Sequence, residues 1–263
     1  MIDRLTGVNA KIARANEHIH DLDGRIKAFI GETPYKVGAR RDRKTRRPIY
    51  YLISVQDVPP DIAVVAGDVI QNLCSALDHL AYQLVLVGTG QPGPFFHVYF
   101  PFFDSASQYK TGKTGKIKGM RQDAIDAIDA IKSYKGGNDT LWRLYSLNKI
   151  DKHRLLIAAG STFESVDIAG DMTRPLEKAL GKPLGVSIPS LSIRPANNLF
   201  PLNAGDQLFI GAPDDEVDQN KQFTFEVALN EPGIVESEPV LKVLKDMFDL
   251  VESLIPGFRP LLK

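Results

Sequence analysis

The sequence predicts an α+β fold: a helical, bundle-like core with a β-hairpin insertion, then a β-rich C-terminal part closed by a final helix. Three observations support this prediction. Apolar residues recur every three or four positions in residues 3–30, 61–88 and 139–159, as is typical of helices. Two extended apolar runs flank a basic loop at 40–47, as in a hairpin. Beyond Gly160 the chain has short extended runs separated by glycine, proline and asparagine.

The first predicted helix covers residues 3–30, and Gly31 ends it. Two strands follow, at 35–39 and 48–55, around a very basic tip in which six of the eight residues are lysine or arginine. Clustered cations on a mobile arm can contact phosphates, although such a run is also typical of a solvated loop. The predicted nucleic-acid-binding residues are Arg40, Arg41, Arg43, Lys44, Arg46 and Arg47.

The long central helix is expected to begin with Asp61 as its N-cap. Residues 89–119 are expected to be mostly irregular and rich in lysine. A helix at 121–134 and another at 139–159, with Asp139 as N-cap, complete the helical part. In the C-terminal part, extended runs are predicted near 162–169, 184–194, 206–211 and 221–230, with a closing helix at 239–254.

This pattern favours a mainly helical domain at 1–160, which carries the basic hairpin at 35–56, and a β-rich region plus helix at 161–263. One integrated domain is the alternative. The chain has 263 residues and no net charge, but residues 1–160 carry 23 Lys/Arg against 16 Asp/Glu. Such a positive half indicates an anionic partner, or attraction between the two halves.

The cellular location is predicted from what the sequence lacks. A single cysteine, Cys74, excludes an intramolecular disulfide and suits a reducing cytoplasm. The N-terminus has no apolar signal core. The longest apolar stretch, at 62–87, is interrupted by charged and polar residues and is not a membrane span. We therefore expect a cytoplasmic protein without a membrane partner.

Two charged clusters lie within otherwise apolar helices: Asp78 and His79 in the central helix, and residues 151–154 in the later one. Charges inside a buried helix are unfavourable unless they are paired, so the clusters predict a polar site where the two helices pack. We expect at least one direct hydrogen bond or ion pair between them. The predicted catalytic residues are Asn72, Asp78, His79, Asp151, His153 and Arg154. A network that only fixes helix packing is the alternative explanation.

The segments GDVIQNLCSALDHLAYQLV and LWRLYSLNKIDKHRLL resemble those of an uncharacterised group of bacterial proteins, which carry an N-L-x-S-A-L-D-H-L helix and an L-W-x-L…I-D-K-H-R helix. This similarity covers roughly residues 60–160 and implies no activity. The first segment also resembles, more loosely, the arginine-to-histidine motif of HEPN (higher eukaryote and prokaryote nucleotide-binding) ribonucleases. His79 matches their histidine, whereas Cys74 stands at the position of their arginine.

The leading hypothesis is therefore an RNA-binding or RNA-cleaving protein. The resemblance implies metal-free chemistry and a homodimer. His79 would act as general acid and base, because imidazole exchanges protons near neutral pH, and Arg154 would stabilise the charge that develops on the phosphate. Asp78 and Asn72 would orient these groups.

Two alternatives stay open. The first is a small-molecule hydrolase or lyase, with or without a metal, that uses Asp78, His79, Asp151 and His153. The second is a binding or scaffold protein without chemistry. The sequence has no HExxH pattern and no complete phosphate loop, so it predicts no metal site and no cofactor.

Overall fold

A computed structural model describes residues 3–165, 192–193, 200–218, 221 and 223–263. Over these residues the protein has six α-helices and two small antiparallel sheets, so the predicted α+β class is confirmed. The last helix follows the strands, as predicted. No helix of the described part is both long and apolar enough to cross a membrane.

The helices are given in chain order. They are α1 (Thr6–Gly31), α2 (Pro60–Thr89), α3 (Ala106–Lys116), α4 (Gln122–Ile131), α5 (Asp139–Asp151) and α6 (Val240–Phe258), which runs into a 3-10 turn at Arg259–Leu262.

The strands form two sheets. They are β1 (Tyr35–Arg41), β2 (Pro48–Val55), β3 (Ala158–Ser165), β4 (Ser192–Ile193), β5 (Gln207–Ile210), β6 (Thr224–Glu231) and β7 (Val235–Pro239). The first sheet has the order β1-β2-β5, and β1 pairs with β2 as the predicted hairpin. The second sheet has the order β4-β3-β6-β7.

The chain divides into two compact units, each built from separate segments. Unit 1 contains Met1–Arg25, Pro59–Ala158 and Leu229–Lys263, and unit 2 contains Ile26–Val58 and Ala159–Ala228. The hairpin and its basic tip belong to unit 2, whereas both charged clusters belong to unit 1. Each unit draws on both sides of the boundary expected at residue 160.

Helix α2 forms the centre of unit 1, where it packs against α5 and α6. Its apolar residues at three- and four-residue spacing form a buried stripe: Ile62, Val65, Val69, Leu73, Ala76, Leu80 and Leu84. The N-terminus differs from the prediction, because the helix begins at Pro60 and Asp61 lies in its first turn instead of capping it. Proline suits a first helical position because its missing N–H has no partner there in any helix.

The expectation of a mostly irregular segment at 89–119 was wrong over α3. The glycine-rich and lysine-rich sequence of this helix gives little helical signal, but Ser105 caps it by accepting a hydrogen bond from the Gln108 N–H at 3.3 Å. Tyr109 is buried and donates to Asp129 of α4 at 2.9 Å. Tertiary contacts therefore stabilise a helix of weak intrinsic propensity.

Helix α5 was predicted to be longer than it is. It ends at Asp151, so His153 and Arg154 lie beyond its C-terminus and not on its face. Its N-cap is Asn138, which accepts from the Leu141 N–H at 3.1 Å, and not Asp139.

The C-terminal strands were predicted only approximately. The run expected near 184–194 lies mostly outside the described residues, and β7 was missed. Since β7 has only five residues, VESEP, it gives a short and polar pattern.

Helices α2 and α5 are in close contact at Gly67, where an added Cβ would overlap the Asp151 carboxylate. We expect Gly67→Ala to lower the free energy of unfolding by about 1–3 kcal/mol, despite the better helix propensity of alanine, because overpacking outweighs it. Urea unfolding of Gly67→Ala, Asp151→Ala and the double variant measures this. In the double variant, most of the stability that Gly67→Ala loses should be recovered, because the overlap is gone. A loss equal to the sum of the two single losses would contradict the contact.

Candidate functional site

Asp78 and His79 line one pocket on unit 1, beside the first turns of α1. The pocket has a volume of about 440 Å³ and is also lined by Arg4, Tyr82 and Gln83, with Val98 on the loop that follows α2. His79 is exposed, and a Cβ on Gly7 would lie 3.1 Å from its Nδ1. The imidazole is therefore set against the backbone of α1 and still reaches solvent.

Asp78 points towards the segment that follows α2. Its Oδ1 accepts a hydrogen bond from the backbone N–H of Phe100 at 2.8 Å. Burial raises the pKa of the Asp78 carboxyl, and the Phe100 hydrogen bond and the charges of Lys152 and Lys116 oppose that rise. The carboxyl thus anchors a backbone segment as well as lining the pocket.

Lys116, at the C-terminus of α3, is a cation near Asp78 that the predicted site residues did not include. It is half-buried, donates to the Phe102 carbonyl at 3.1 Å, and lies 4.5 Å from the centre of the Phe103 ring. Burial lowers the pKa of this lysine, and Asp78 acts against that change. Its importance could not be seen in the sequence, because α3 itself gave no clear helical signal.

Arg4 is the second group that was missed. It lies two residues before α1 begins, although the predicted helix included it, and its guanidinium donates to Gln83 Oε1 at 3.4 Å across the pocket. A single arginine near the N-terminus carries no motif, so only the packing of α1 on α2 identifies it. Arg4 lines the same pocket as His79 and so supplies a cation there. The central helix itself does not, because Cys74 stands at the position of the HEPN arginine. Burial raises the pKa of the Cys74 thiol, and its side chain is enclosed in the core.

Asn72 lies on α2 away from the pocket. Its amide donates to the Asp68 carbonyl at 2.8 Å, and its Oδ1 accepts from Lys11 at 3.3 Å. The contact with Lys11 joins α2 to α1. The predicted role of Asn72 in orienting His79 is therefore not supported by its position.

Asp151 lies against Gly67, at the contact of α5 with α2. Burial raises the pKa of its carboxyl, and the neighbouring Asp68 adds to that rise. Asn148, one turn earlier, is buried, and its Oδ1 has no hydrogen-bond partner in the described part of the chain. Neither residue lines the His79 pocket.

His153 and Arg154 line a different depression of about 520 Å³, together with Trp142 and Lys149. The Arg154 guanidinium is held by Glu231, with contacts of 3.0 Å and 2.6 Å to the two carboxylate oxygens. Glu231 is only 1% exposed and also accepts from the Ile157 N–H at 2.9 Å. Arg154 therefore neutralises a buried carboxylate that fixes the chain after α5.

The composite site expected from the two clusters is only partly present. The two helices pack together, but within the described residues no hydrogen bond or ion pair joins Asp78 or His79 to Asp151, His153 or Arg154. The clusters interact instead through Lys152, whose charge acts on Asp78. Two separate surfaces result because His153 and Arg154 lie past the end of α5.

Metal binding is not supported by the grouping of side chains. Across the described ranges, no group of three or more His, Cys, Asp or Glu side chains could hold a metal ion.

The basic tip of unit 2 is partly used in its own packing. Arg41 donates to the carbonyls of Arg46 at 2.8 Å and Asp215 at 2.5 Å, and Arg46 pairs with Asp214 at 2.5 Å. The Arg40 guanidinium lies 5.1 Å from the centre of the Tyr51 ring. Of the tip residues 40–47, the exposed cations for which the described part of the chain offers no side-chain partner are Arg43, Lys44 and Arg47.

A comparison of the chain with family models, curated proteins and solved structures finds no match.

We expect Asp78→Ala to lower the free energy of unfolding by about 1–3 kcal/mol, because it leaves the Phe100 N–H without an acceptor.

Asp78→Asn keeps an acceptor and removes the buried charge. A carboxyl with a raised pKa in the folded state makes the wild type less stable as the pH rises above about 4, the unfolded value. The free energy of unfolding of Asp78→Asn, measured with urea, should therefore increase relative to that of the wild type between acidic and neutral pH. A pH-independent difference would contradict this account.

Arg154→Ala should lower the free energy of unfolding by about 1.5–3 kcal/mol, since it leaves a buried carboxylate without its cation. Arg14→Ala is the matched control, because Arg14 pairs with Glu17 on the exposed face of α1, and such pairs contribute about 0–1 kcal/mol. Equal losses in the two variants, measured by urea unfolding, would show that the Glu231 contact is not structural.

Proposed function

We propose that this protein binds RNA, with one phosphodiester in the His79 pocket. A single observation carries the proposal: a guanidinium, an exposed imidazole and a partly buried carboxyl line one pocket of unit 1. The volume of about 440 Å³ falls within the usual range for small-ligand sites.

The roles follow from the chemistry of each group. Arg4 contacts the phosphate, since a guanidinium matches the charge and geometry of phosphate oxygens. His79 contacts the ribose 2′-hydroxyl or the phosphate. Tyr82 forms an aromatic wall on which a base can pack, its ring centre lying 5.8 Å from that of Phe95.

RNA cleavage is the catalytic form of this proposal. His79 takes the proton of the 2′-hydroxyl, that oxygen bonds to phosphorus, and the bond from phosphorus to the 5′ oxygen breaks. The imidazole then returns the proton to the leaving 5′ oxygen. Arg4, and not Arg154, stabilises the charge on the phosphate, because Arg154 is engaged with Glu231.

The hydrolase alternative needs Asp78, His79, Asp151 and His153 at one site, and the last two do not line the His79 pocket. The geometry therefore favours the RNA proposal. Arg43, Lys44 and Arg47 are proposed as further phosphate contacts in unit 2. A cytoplasmic location and a homodimer stay part of the proposal.

Titration of labelled RNA at two salt concentrations tests the proposal. We expect Arg4→Ala to weaken binding about tenfold at low salt and to reduce the salt dependence, because one phosphate contact is lost. His79→Ala should weaken binding and abolish any cleavage.

Two control variants remove the same types of side chain, an arginine and a histidine, at positions outside the pocket. Arg14→Ala removes an exposed arginine from α1, and His20→Ala removes an exposed histidine from the same helix. Both should bind RNA like the wild type. Equal affinities of all four variants and the wild type, or binding that is independent of salt, would refute the proposal.

A further inference from the structure

An exposed aromatic loop follows α2 beside the His79 pocket. It consists of residues 95–99, and we call it the aromatic loop. Phe96 is 76% exposed and Tyr99 is 51% exposed, and His97 between them is also exposed. Adjacent exposed rings of this size are unusual on a protein surface and indicate a contact with another molecule.

The loop is held in place by backbone contacts at its C-terminal end. The Tyr99 N–H donates to the Lys116 carbonyl at 3.3 Å, and the next N–H, of Phe100, donates to Asp78. Within the loop, the Val98 N–H donates to the Phe95 carbonyl at 3.3 Å. The exposed rings are thus carried on an anchored turn, which reduces the entropy lost when a ligand binds them.

The loop is continuous with the pocket. Val98 lines the pocket, and the Phe95 ring packs on Tyr82, which also lines it. Phe96 and Tyr99 therefore lie within two residues of Val98, which lines the same pocket as Arg4. A chain whose phosphate lies at Arg4 and His79 would bring its neighbouring bases to these rings.

We propose that the aromatic loop stacks on unpaired bases on either side of the phosphodiester in the pocket, so that the protein selects single-stranded RNA. This inference rests on the proposed function. Bases of a single strand expose the faces on which aromatic side chains stack, whereas a duplex buries them against each other. The basic groups near the loop, Arg4 and Lys116, suit the backbone that joins such bases.

The experiment compares a labelled single-stranded oligoribonucleotide of about ten nucleotides with the same strand annealed to its complement. We expect Phe96→Ala and Tyr99→Ala each to weaken single-strand binding about tenfold and to leave the weaker duplex binding unchanged. Phe96→Leu should lose nearly as much as Phe96→Ala, because it keeps an apolar side chain but no ring. Val64→Ala, at an exposed apolar position of α2, is the control and should bind like the wild type.

Full single-strand affinity in both aromatic variants would overturn the inference, and so would an equal loss for single strand and duplex. If Phe96→Leu keeps full affinity, the contact is apolar and not stacking. Sedimentation with phosphatidylcholine–phosphatidylglycerol vesicles, lost in Phe96→Ala while RNA affinity is kept, would assign the loop to a lipid surface instead. If His79→Ala and Arg4→Ala lose affinity for single-stranded RNA and the two aromatic variants do not, only this inference is overturned. Full affinity in the His79, Arg4, Phe96 and Tyr99 alanine variants would refute the proposed function.

Discussion

The hydrogen bond from the Phe100 N–H to the Asp78 carboxyl is the contact on which the arrangement around His79 depends. Placing a carboxyl in a partly buried position is unfavourable, which is why its pKa is raised. The backbone donor and two nearby lysines offset that cost. Asp78 directly precedes His79 on α2. Its hydrogen bond to Phe100 therefore holds the segment that follows α2 close to the imidazole.

The same constraint explains why Lys116 lies where it does. The segment anchored at Phe100 continues to Phe102, whose carbonyl accepts from Lys116, and to Phe103, whose ring lies under the ammonium. Lys116 in turn ends α3, which Tyr109 attaches to α4. A helix with little propensity of its own is thereby stabilised next to the pocket. The charged cluster at the end of α5, residues 151–154, stabilises mainly the fold, since Asp151 fits against Gly67 and Arg154 neutralises Glu231.

Much of the fold could be predicted because strong periodic signals agree with tertiary packing. The buried stripe of α2 and the β1–β2 hairpin are examples. Helix α3 could not be predicted, because its stability comes from a cap and from contacts with α4, which are distant in sequence. The end of α5 was placed too late because Leu155, Leu156 and Ile157 continue the apolar pattern although they lie beyond the helix.

The site was predicted in part for the same physical reason. Asp78 and His79 stood out as charged groups in an apolar helix, and they do line one pocket. His153 and Arg154 stood out in the same way, yet they line another depression, because one sequence does not show where a helix ends to within two residues. Arg4 carries no local signal and Lys116 is one of several lysines in its segment, so only packing shows that they lie close to Asp78 or His79.

The central claim is that RNA occupies the His79 pocket, and the ring resonances of the histidines test it most directly. The chain has five histidines, so each ring signal can be assigned with single substitutions. Titration with a single-stranded oligoribonucleotide should shift the His79 ring signals most and leave those of His20 and His153 in place. His79 signals that stay unchanged while RNA binds, or a largest shift at His153, would contradict the account.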